Sequence, residues 1–390
     1  MRTSNGVPDE IADAAARLSG PFSVYVHIPF CLRKCPYCSF YSIPVGEYDK
    51  ERYLSLAERE IHRFGELLPR DNCAVSTVYV GGGTPTLLSP GEWDVLFGLL
   101  KGFLSFFPSA EITAEANPES FSEGHTEVWK KWGVARVSLG VQSFSDADLH
   151  WLDRPHDADR ARWALKKAVA AGFSVSADLM FGLRGQNLRG WKSSVSEAIG
   201  LGVHHISLYQ LSIDEGCRWS MNPPEDLPDG YPMYRWSQWY LPQKGFDQYE
   251  IASFAKPGHH CRHNLSYWTN APVLAIGAGA WGYLGNIRYR NGGTIKEYGE
   301  AVEKYGCGAV ATESLEPEKA FREAAVLLLR TKWGISFRDY SAQYGEEALR
   351  SVILTLRNEA PQDCIDFRGD SLALTRKGMR VANSIWSLII

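Results

Sequence analysis

The order of segments along the chain predicts an α/β protein built as a partial (β/α)6 barrel with a small C-terminal α+β accessory domain. Three observations carry this. Short β-branched or aromatic runs alternate with helical stretches about six times between residues 22 and 215, the alternation fails after 215, and a helical pattern with a hairpin-like end resumes near 295. Strictly alternating strands and helices imply a parallel sheet with right-handed crossovers. Six units fall short of the eight that close a full barrel, so a partial barrel is expected and a doubly wound open sheet is the second choice. A length of 390 residues suits one large and one small domain.

In order, the strands are expected at "SVYVHIP" from Ser23, "TVYVGGG" from Thr77, "EITAEANP" from Glu111, "RVSLGVQS" from Arg136, "SVSADLMFG" from Ser174 and "HISLYQLS" from His205. Helices are expected near 47–66, 91–104, 119–131, 157–171 and 188–200, where Ala, Leu, Glu and Lys recur at helical spacing. The expected domains are the barrel over 22–215, a connecting segment over 216–294 and the accessory domain over 295–390. The connector opens with the Pro-rich "NPPEDLPDGYPMYRW" and becomes rich in His, Tyr and Trp. In the accessory domain "DFRGDSLALTRKGM" reads as a hairpin turning at Arg368-Gly369-Asp370.

A net charge of -4 with scattered basic residues builds no field for nucleic acid or an anionic membrane. The N-terminus has no continuous apolar core of the secretory kind, and no later window offers about 18 uninterrupted apolar residues. A soluble cytoplasmic protein is therefore expected. Aromatic content of 12%, with 13 Trp, leans towards flat, apolar-faced surfaces. Of the 8 cysteines, Cys73, Cys217, Cys261, Cys307 and Cys364 are scattered, which is no disulfide scaffold.

The other three, Cys31, Cys35 and Cys38, form a C-x3-C-x2-C run after the first strand, and Phe40 stands at the next plausible ligand position. Thiolates select soft metals. A structural zinc site needs a fourth ligand, which Cys73 or His27 would have to supply. A four-iron cluster held by three cysteines leaves one iron open for a small molecule. In both expected folds chemistry gathers at the C-terminal ends of the strands. There lie Cys31, Gly81 to Thr86, Glu115 with Asn117, Gln142 and Asp178.

The stretch "YVHIPFCLRKCPYCSFYS" resembles the opening of the radical S-adenosylmethionine enzymes, whose open iron chelates the methionine amino and carboxylate groups and reductively cleaves the sulfonium. Its flanks and Tyr37 are similar to one subfamily, the oxygen-independent coproporphyrinogen III oxidases and their relatives, from about residue 22 to the C-terminus. The resemblance implies a [4Fe-4S] cluster on Cys31, Cys35 and Cys38, S-adenosyl-L-methionine as cofactor, and an electron donor as partner. It assigns Tyr25 and Tyr37 to the cofactor site and gives Gly82, Gly83 and Thr84 the methionine amino end. Glu115, Gln142, Arg154 and Asp178 match positions that contact the amino group, ribose hydroxyls and carboxylate, with Arg154 as a cationic clamp. Arg184 in "LRGQ" departs from the family, which usually has Pro there.

Relatives that are true oxidases usually carry a further cysteine where Phe40 stands, and a longer N-terminal extension. In their place "HHCRHNLSYW" resembles the HNxxYW motif of the radical-SAM heme chaperones, the HemW-like branch. The resemblance implies heme near His263, Asn264, Tyr267 and Trp268, with apo-haemoproteins as clients and membrane contact only through them. Histidine is a common axial ligand, and Cys261 is an alternative thiolate. "GAGAWG", Gly277 to Gly282, fits G-x-G-x-x-G, but "YLGNIRYRNGG" follows as turn and strand, not as the helix that would hold a pyrophosphate. The rival expectations are an oxygen-independent coproporphyrinogen III oxidase, a porphyrin-modifying radical methyltransferase and a zinc-stabilised binding protein.

Overall fold

The computed structural model describes residues 7–390. They fall into two compact units: the chain up to Pro228 together with Pro272–Ser314, and Asp229–Ala271 together with Leu315–Ile390. The segment expected as a connector is thus divided, 229–271 going to the second unit and 216–228 with 272–294 to the first, which also takes 295–314 from the expected accessory domain.

The first unit is a partial barrel. Its six expected strands form at Gly20–Ile28, Cys73–Gly82, Phe106–Ala116, Arg136–Gln142, Ser174–Phe181 and His205–Gln210, each paired in parallel with the next. A seventh parallel strand, Val273–Ile276, pairs with the free side of the first. Antiparallel strands at Trp281–Leu284, Ile287–Asn291 and Ala309–Ser314 extend that edge. The fourth and fifth strands are almost wholly buried, as apolar runs covered on both faces must be. The helices lie at Lys50–Leu67, Pro90–Phe103, Glu123–Lys131, Ala158–Ala170 and Leu188–Gly200, with a short unexpected turn of helix at Asp146–Trp151. Trp93, Trp129 and Trp191 on three of these helices are fully buried, and the first two meet edge-on with centroids 5.3 Å apart. Part of the tryptophan content therefore fills the core and not the surface.

Glu60 fixes the antiparallel edge. On the helix Lys50–Leu67 it is fully buried, and it accepts four hydrogen bonds. Oε2 takes the Gly277 amide at 2.9 Å and the Tyr298 hydroxyl at 2.8 Å; Oε1 takes the Gly308 amide at 2.7 Å and Asn291 Nδ2 at 3.2 Å. The "GAGAWG" turn is thus tied to a carboxylate, and strand follows it.

The second unit gathers the helices Tyr231–Gln243, Arg262–Trp268, Pro317–Leu329, Phe337–Tyr344 and Glu346–Glu359 with a small sheet in the order Ile335–Ser336, Ser371–Leu374, Ile365–Phe367. Leu329, Val352, Leu356, Leu372 and Ile385 belong to its core. The expected hairpin turns where Gly369 takes φ +65° and Arg368 N–H donates to Ser371 O at 2.8 Å. Among the described residues no helix is long and apolar enough to cross a membrane.

Glu60 generates a prediction. Glu60→Gln turns an amide NH2 towards two donors, at about 1–3 kcal/mol for each bond lost, and should lower the thermal midpoint by several degrees. Burial pushes the Glu60 carboxyl up to about 7 against its four donors. Its stabilising contribution is therefore complete below the unfolded value of 4.5 and is lost as pH rises through about 7. The wild-type advantage over Glu60→Gln should be larger at about pH 5 than at about pH 8; equal midpoints at both would contradict this.

Candidate functional site at the strand ends

The cysteine loop opens where the first strand stops. Phe30–Cys31 pairs in parallel with Ile43–Pro44, and Val45 N–H donates to Cys31 O at 2.8 Å, so residues 32–42 form a closed loop over the sheet end. Cys31, Cys35 and Cys38 line one cavity with Tyr37, Thr84, Asn117 and Arg154. Burial pushes the Cys31 and Cys38 thiols up, which favours the neutral thiol until a metal takes the proton's place. Three soft donors around one cavity fit an iron–sulfur cluster.

The zinc alternative fares badly. Cys73 pairs with Gly20 at the opposite end of the second strand, about 30 Å of extended chain from Gly82. His27 has both ring nitrogens engaged, Nδ1 with the Tyr25 hydroxyl at 3.0 Å and Nε2 with Tyr41 O at 2.9 Å. Burial, opposed by the Tyr41 carbonyl, pulls its pKa down to about 4, leaving a neutral imidazole. Among the described residues no three His, Cys, Asp or Glu side chains group around a single ion's position.

The glycine run is the ledge under this loop. Gly83 N–H donates to Ile28 O at 2.8 Å and Thr84 N–H to Phe30 O at 2.7 Å, while Gly82 N–H donates to Glu115 Oε2 at 3.0 Å. With these amides spent inside the protein, the run can offer a ligand only carbonyl oxygens, the right partners for an ammonium group. Gly82 has φ +115°, and a Cβ there would lie 2.6 Å from the His27 ring. A Cβ on Gly83 would lie 2.7 Å from Phe30 O and 3.1 Å from Cys31 Sγ.

A chain of polar contacts closes the cavity. Thr84 Oγ1 lies 3.6 Å from Cys31 Sγ and accepts from Asn117 Nδ2 at 2.8 Å. Asn117 Oδ1 accepts from Arg154 at 3.1 Å, and Arg154 also donates to Gly140 O at 3.2 Å and to Cys35 Sγ at 3.5 Å. The Arg154 Nε is buried without a partner among the described residues. An orphaned guanidinium N–H at this cavity is the natural place for an anionic ligand group such as a carboxylate.

Glu115, Gln142, Asp178 and Tyr25 are not among the residues that line the cysteine cavity. Glu115 accepts from the Tyr79 hydroxyl at 2.7 Å, and burial, with Asp178 as a like charge, pushes its carboxyl up to about 7. Asp178 takes the hydroxyls of Ser138 at 3.0 Å and Ser176 at 3.1 Å, and burial pushes it up as well. Gln142 ends the fourth strand at φ +65°, costly for a side chain with a Cβ and of the kind that collects at functional sites. A Cβ on Gly140 would lie 2.6 Å from Asn117 Oδ1 and 3.1 Å from Gln142 Nε2, so those two side chains cross bare backbone. Tyr25 reaches the site through His27. Phe40, on the same loop, is 66% exposed.

Asn117 was visible in "EANPE" but had no role assigned; its two-handed bridge between Thr84 and Arg154 needs three loops to meet. Glu119 was missed. It pairs with His156 at 3.0 Å; burial opposes its ionisation, but His156 and Arg154 outweigh burial and hold its carboxyl below the usual range. Arg184 lines a groove with Asp148 and Asn187.

The His, Tyr and Trp segment lies in the second unit. Cys261 precedes the helix Arg262–Trp268, and its N–H donates to the Tyr249 hydroxyl at 3.2 Å. His263 is 1% exposed and meets the Tyr267 ring edge-on at 5.4 Å. Asn264, Tyr267 and Trp268 are partly exposed. Trp268 lies under Arg330 at 4.2 Å, and Arg330 donates to Glu250 at 2.9 Å. The half-buried His260 packs on Tyr249 at 4.5 Å and edge-on to Trp333 at 5.7 Å, and burial pulls the pKa values of His259 and His260 down.

The crowding at Gly83 yields a test. Gly83→Ala should displace the Cys31 loop and lower iron and acid-labile sulfide bound after anaerobic reconstitution by at least about half, whereas Gly102→Ala, which meets nothing within 4 Å, should leave both unchanged. Full iron loading of Gly83→Ala would show that the ledge does not set the loop.

Residues 25–198 match the family model of the radical SAM superfamily. Over 389 residues the chain is 32% identical to "Heme chaperone HemW" of Mycobacterium tuberculosis, covering 97% of each chain. It is 30% identical over 381 residues to that of Bacillus subtilis, covering 94% of this chain and 99% of the relative. With that of Escherichia coli it shares 37% over 267 residues, 67% of this chain and 70% of the other. Among solved structures it is similar to the radical SAM coproporphyrinogen III oxidase HemN of Escherichia coli, with TM-score 0.86 at 22% identity, over 98% of this chain and 93% of the other, a likeness of fold. With three thiols at the strand ends and the HNxxYW segment in place, the chain belongs to the radical SAM superfamily and, within it, to the heme chaperone HemW family.

Proposed function

We propose that this protein binds heme and hands it to apo-haemoproteins, using a radical SAM core as its scaffold. Cys31, Cys35 and Cys38 would hold a [4Fe-4S] cluster, and S-adenosyl-L-methionine would complete the open iron. When bound, that pair supplies one-electron reduction and cleavage of the sulfonium, with electrons from an external donor. The chain's own residues do the positioning. The carbonyls of the glycine run receive the ammonium group, the free Arg154 N–H receives the carboxylate, and Glu115, Gln142 and Asp178 are the polar partners left for ribose and amino group.

The observation that carries the heme reading is "HNLSYW", His263 to Trp268, together with Phe40 in place of a further thiol. His263 is sheltered, so ligation through it requires the short helix Arg262–Trp268 to move. His260, half-buried beside the 47% exposed Trp333, is the more accessible imidazole. Burial holds the His260 pKa below the ordinary imidazole value, which favours the neutral ring that a ligand nitrogen requires.

An anaerobic heme titration of the cluster-loaded protein, followed at the Soret band, tests this. The expected result is saturable binding, with heme affinity at least about tenfold weaker or the spectrum shifted in His263→Ala, and His260→Ala separating first capture from final ligation. No saturable binding, combined with release of carbon dioxide from coproporphyrinogen III under reducing conditions, would move the protein to the oxidases.

A further inference from the structure

The second unit carries a groove unrelated to the HNxxYW segment in sequence. It has a volume of about 460 Å³ and is lined by Tyr231, Trp236 and Trp239 on one helix together with Arg235, Arg376 and Arg380. Trp239 is 59% and Tyr231 43% exposed. The Trp236 ring stacks on Tyr240 at 4.4 Å, which stiffens one wall. Single exposed aromatics are ordinary on a surface; three on one helix around a concave site are not.

The charge in the groove has one sign. Three arginines line it and no Asp or Glu does. Arg380 is placed by its neighbours: its Nη1 donates to Gln238 Oε1 at 3.2 Å, and its guanidinium lies 5.7 Å from the Tyr231 ring centroid. Gln238 is in turn fixed by bonds from its Nε2 to Gln248 Oε1 at 3.0 Å and Arg376 O at 3.2 Å. The Arg380 Nε is buried and has no partner among the described residues, a donor waiting for an acceptor.

We infer that this groove binds a planar aromatic dicarboxylate, the indole and phenol rings packing on its face and the arginines taking its carboxylates. Aromatic faces supply stacking area, and guanidinium groups pair with carboxylates in two-point geometry that lysine cannot match. Resting on the heme-carrier reading, the inference names the porphyrin with its propionates as the ligand and makes the groove a second holding place for it. None of the lining residues is His, Cys or Met. Recognition there is therefore of the ring and its acids, without the iron.

That independence from iron provides the test. Metal-free protoporphyrin IX is titrated into the full-length protein and followed by porphyrin emission, beside its dimethyl ester and a tetraglutamate peptide as competitor. Saturable binding of the diacid is expected, at least tenfold weaker for the ester and for Arg235→Ala/Arg376→Ala, and unchanged in His263→Ala. Both arginines of that double variant are exposed, so circular dichroism should match the parent; Trp239→Phe, retaining a ring, should bind within about threefold of the parent. Equal binding of diacid and ester, or no effect of the double variant, would overturn the inference. So would failure of the diacid to bind while the tetraglutamate does, which would assign the groove to an acidic protein segment. If heme binds in a His263-dependent way but the metal-free ring does not, the groove inference alone fails; if neither binds, the heme-carrier reading fails with it.

Discussion

The guanidinium of Arg154 is the constraint on which the strand-end site depends. It is half-buried at the wall of the cysteine cavity, and a cation withdrawn from water is tolerated only where polar and anionic groups replace it. Burial pulls its pKa down, but Tyr37, Cys35 and Glu119 more than reverse that and keep it charged. Its fixed partners come from four places in the sequence: Cys35 on the first loop, Asn117 after the third strand, Gly140 on the fourth strand, and through Asn117 the Thr84 hydroxyl after the second. One side chain thus ties the cysteine loop, through Cys35, to three strand ends.

The parallel sheet is what permits this. Because successive strands point the same way, their C-terminal ends collect on one rim, and a residue two or three positions past each end faces the same space. The register Ile28↔Gly82 brings the glycine run beneath the cysteine loop, and Glu115↔Ser138 and Asp178↔Ser207 align the polar residues below it. Side chains that would be expensive to bury singly are satisfied as a set. Two carboxyl groups, Glu115 and Asp178, share that floor, each held by hydroxyl groups, and both are pushed towards the neutral form by burial.

Much of the first unit was legible because its signals are local. The alternation of β-branched runs and helical stretches gave the six strands and five helices within a few residues, and three thiols followed by an apolar ring pointed to an open metal site while leaving zinc, with Cys73 or His27 as fourth ligand, as a rival. What was not legible depends on distant parts of the chain. Val273–Ile276 is a short apolar run that could have been any buried segment; only its pairing with Ser23–Val26 makes it part of the barrel. Glu60 sits on an amphipathic helix like any surface glutamate, and its four donors lie more than 200 residues away. Asn117 looked like a strand end. The shelter around His263 could not be read either, since a motif names residue types and not their exposure. The arginines of the Trp236 groove come together from positions about 140 residues apart.

The central claim is that the chain carries heme in order to give it away, and the transfer itself tests that most directly. Heme-loaded protein would be mixed anaerobically with the apo form of a b-type cytochrome, and the acceptor's Soret spectrum followed against free heme at the same concentration. The account predicts that the acceptor fills, at a rate set by the concentration of the loaded protein and lowered when the cluster is left out. Heme that stays on the protein while the acceptor remains empty would contradict it.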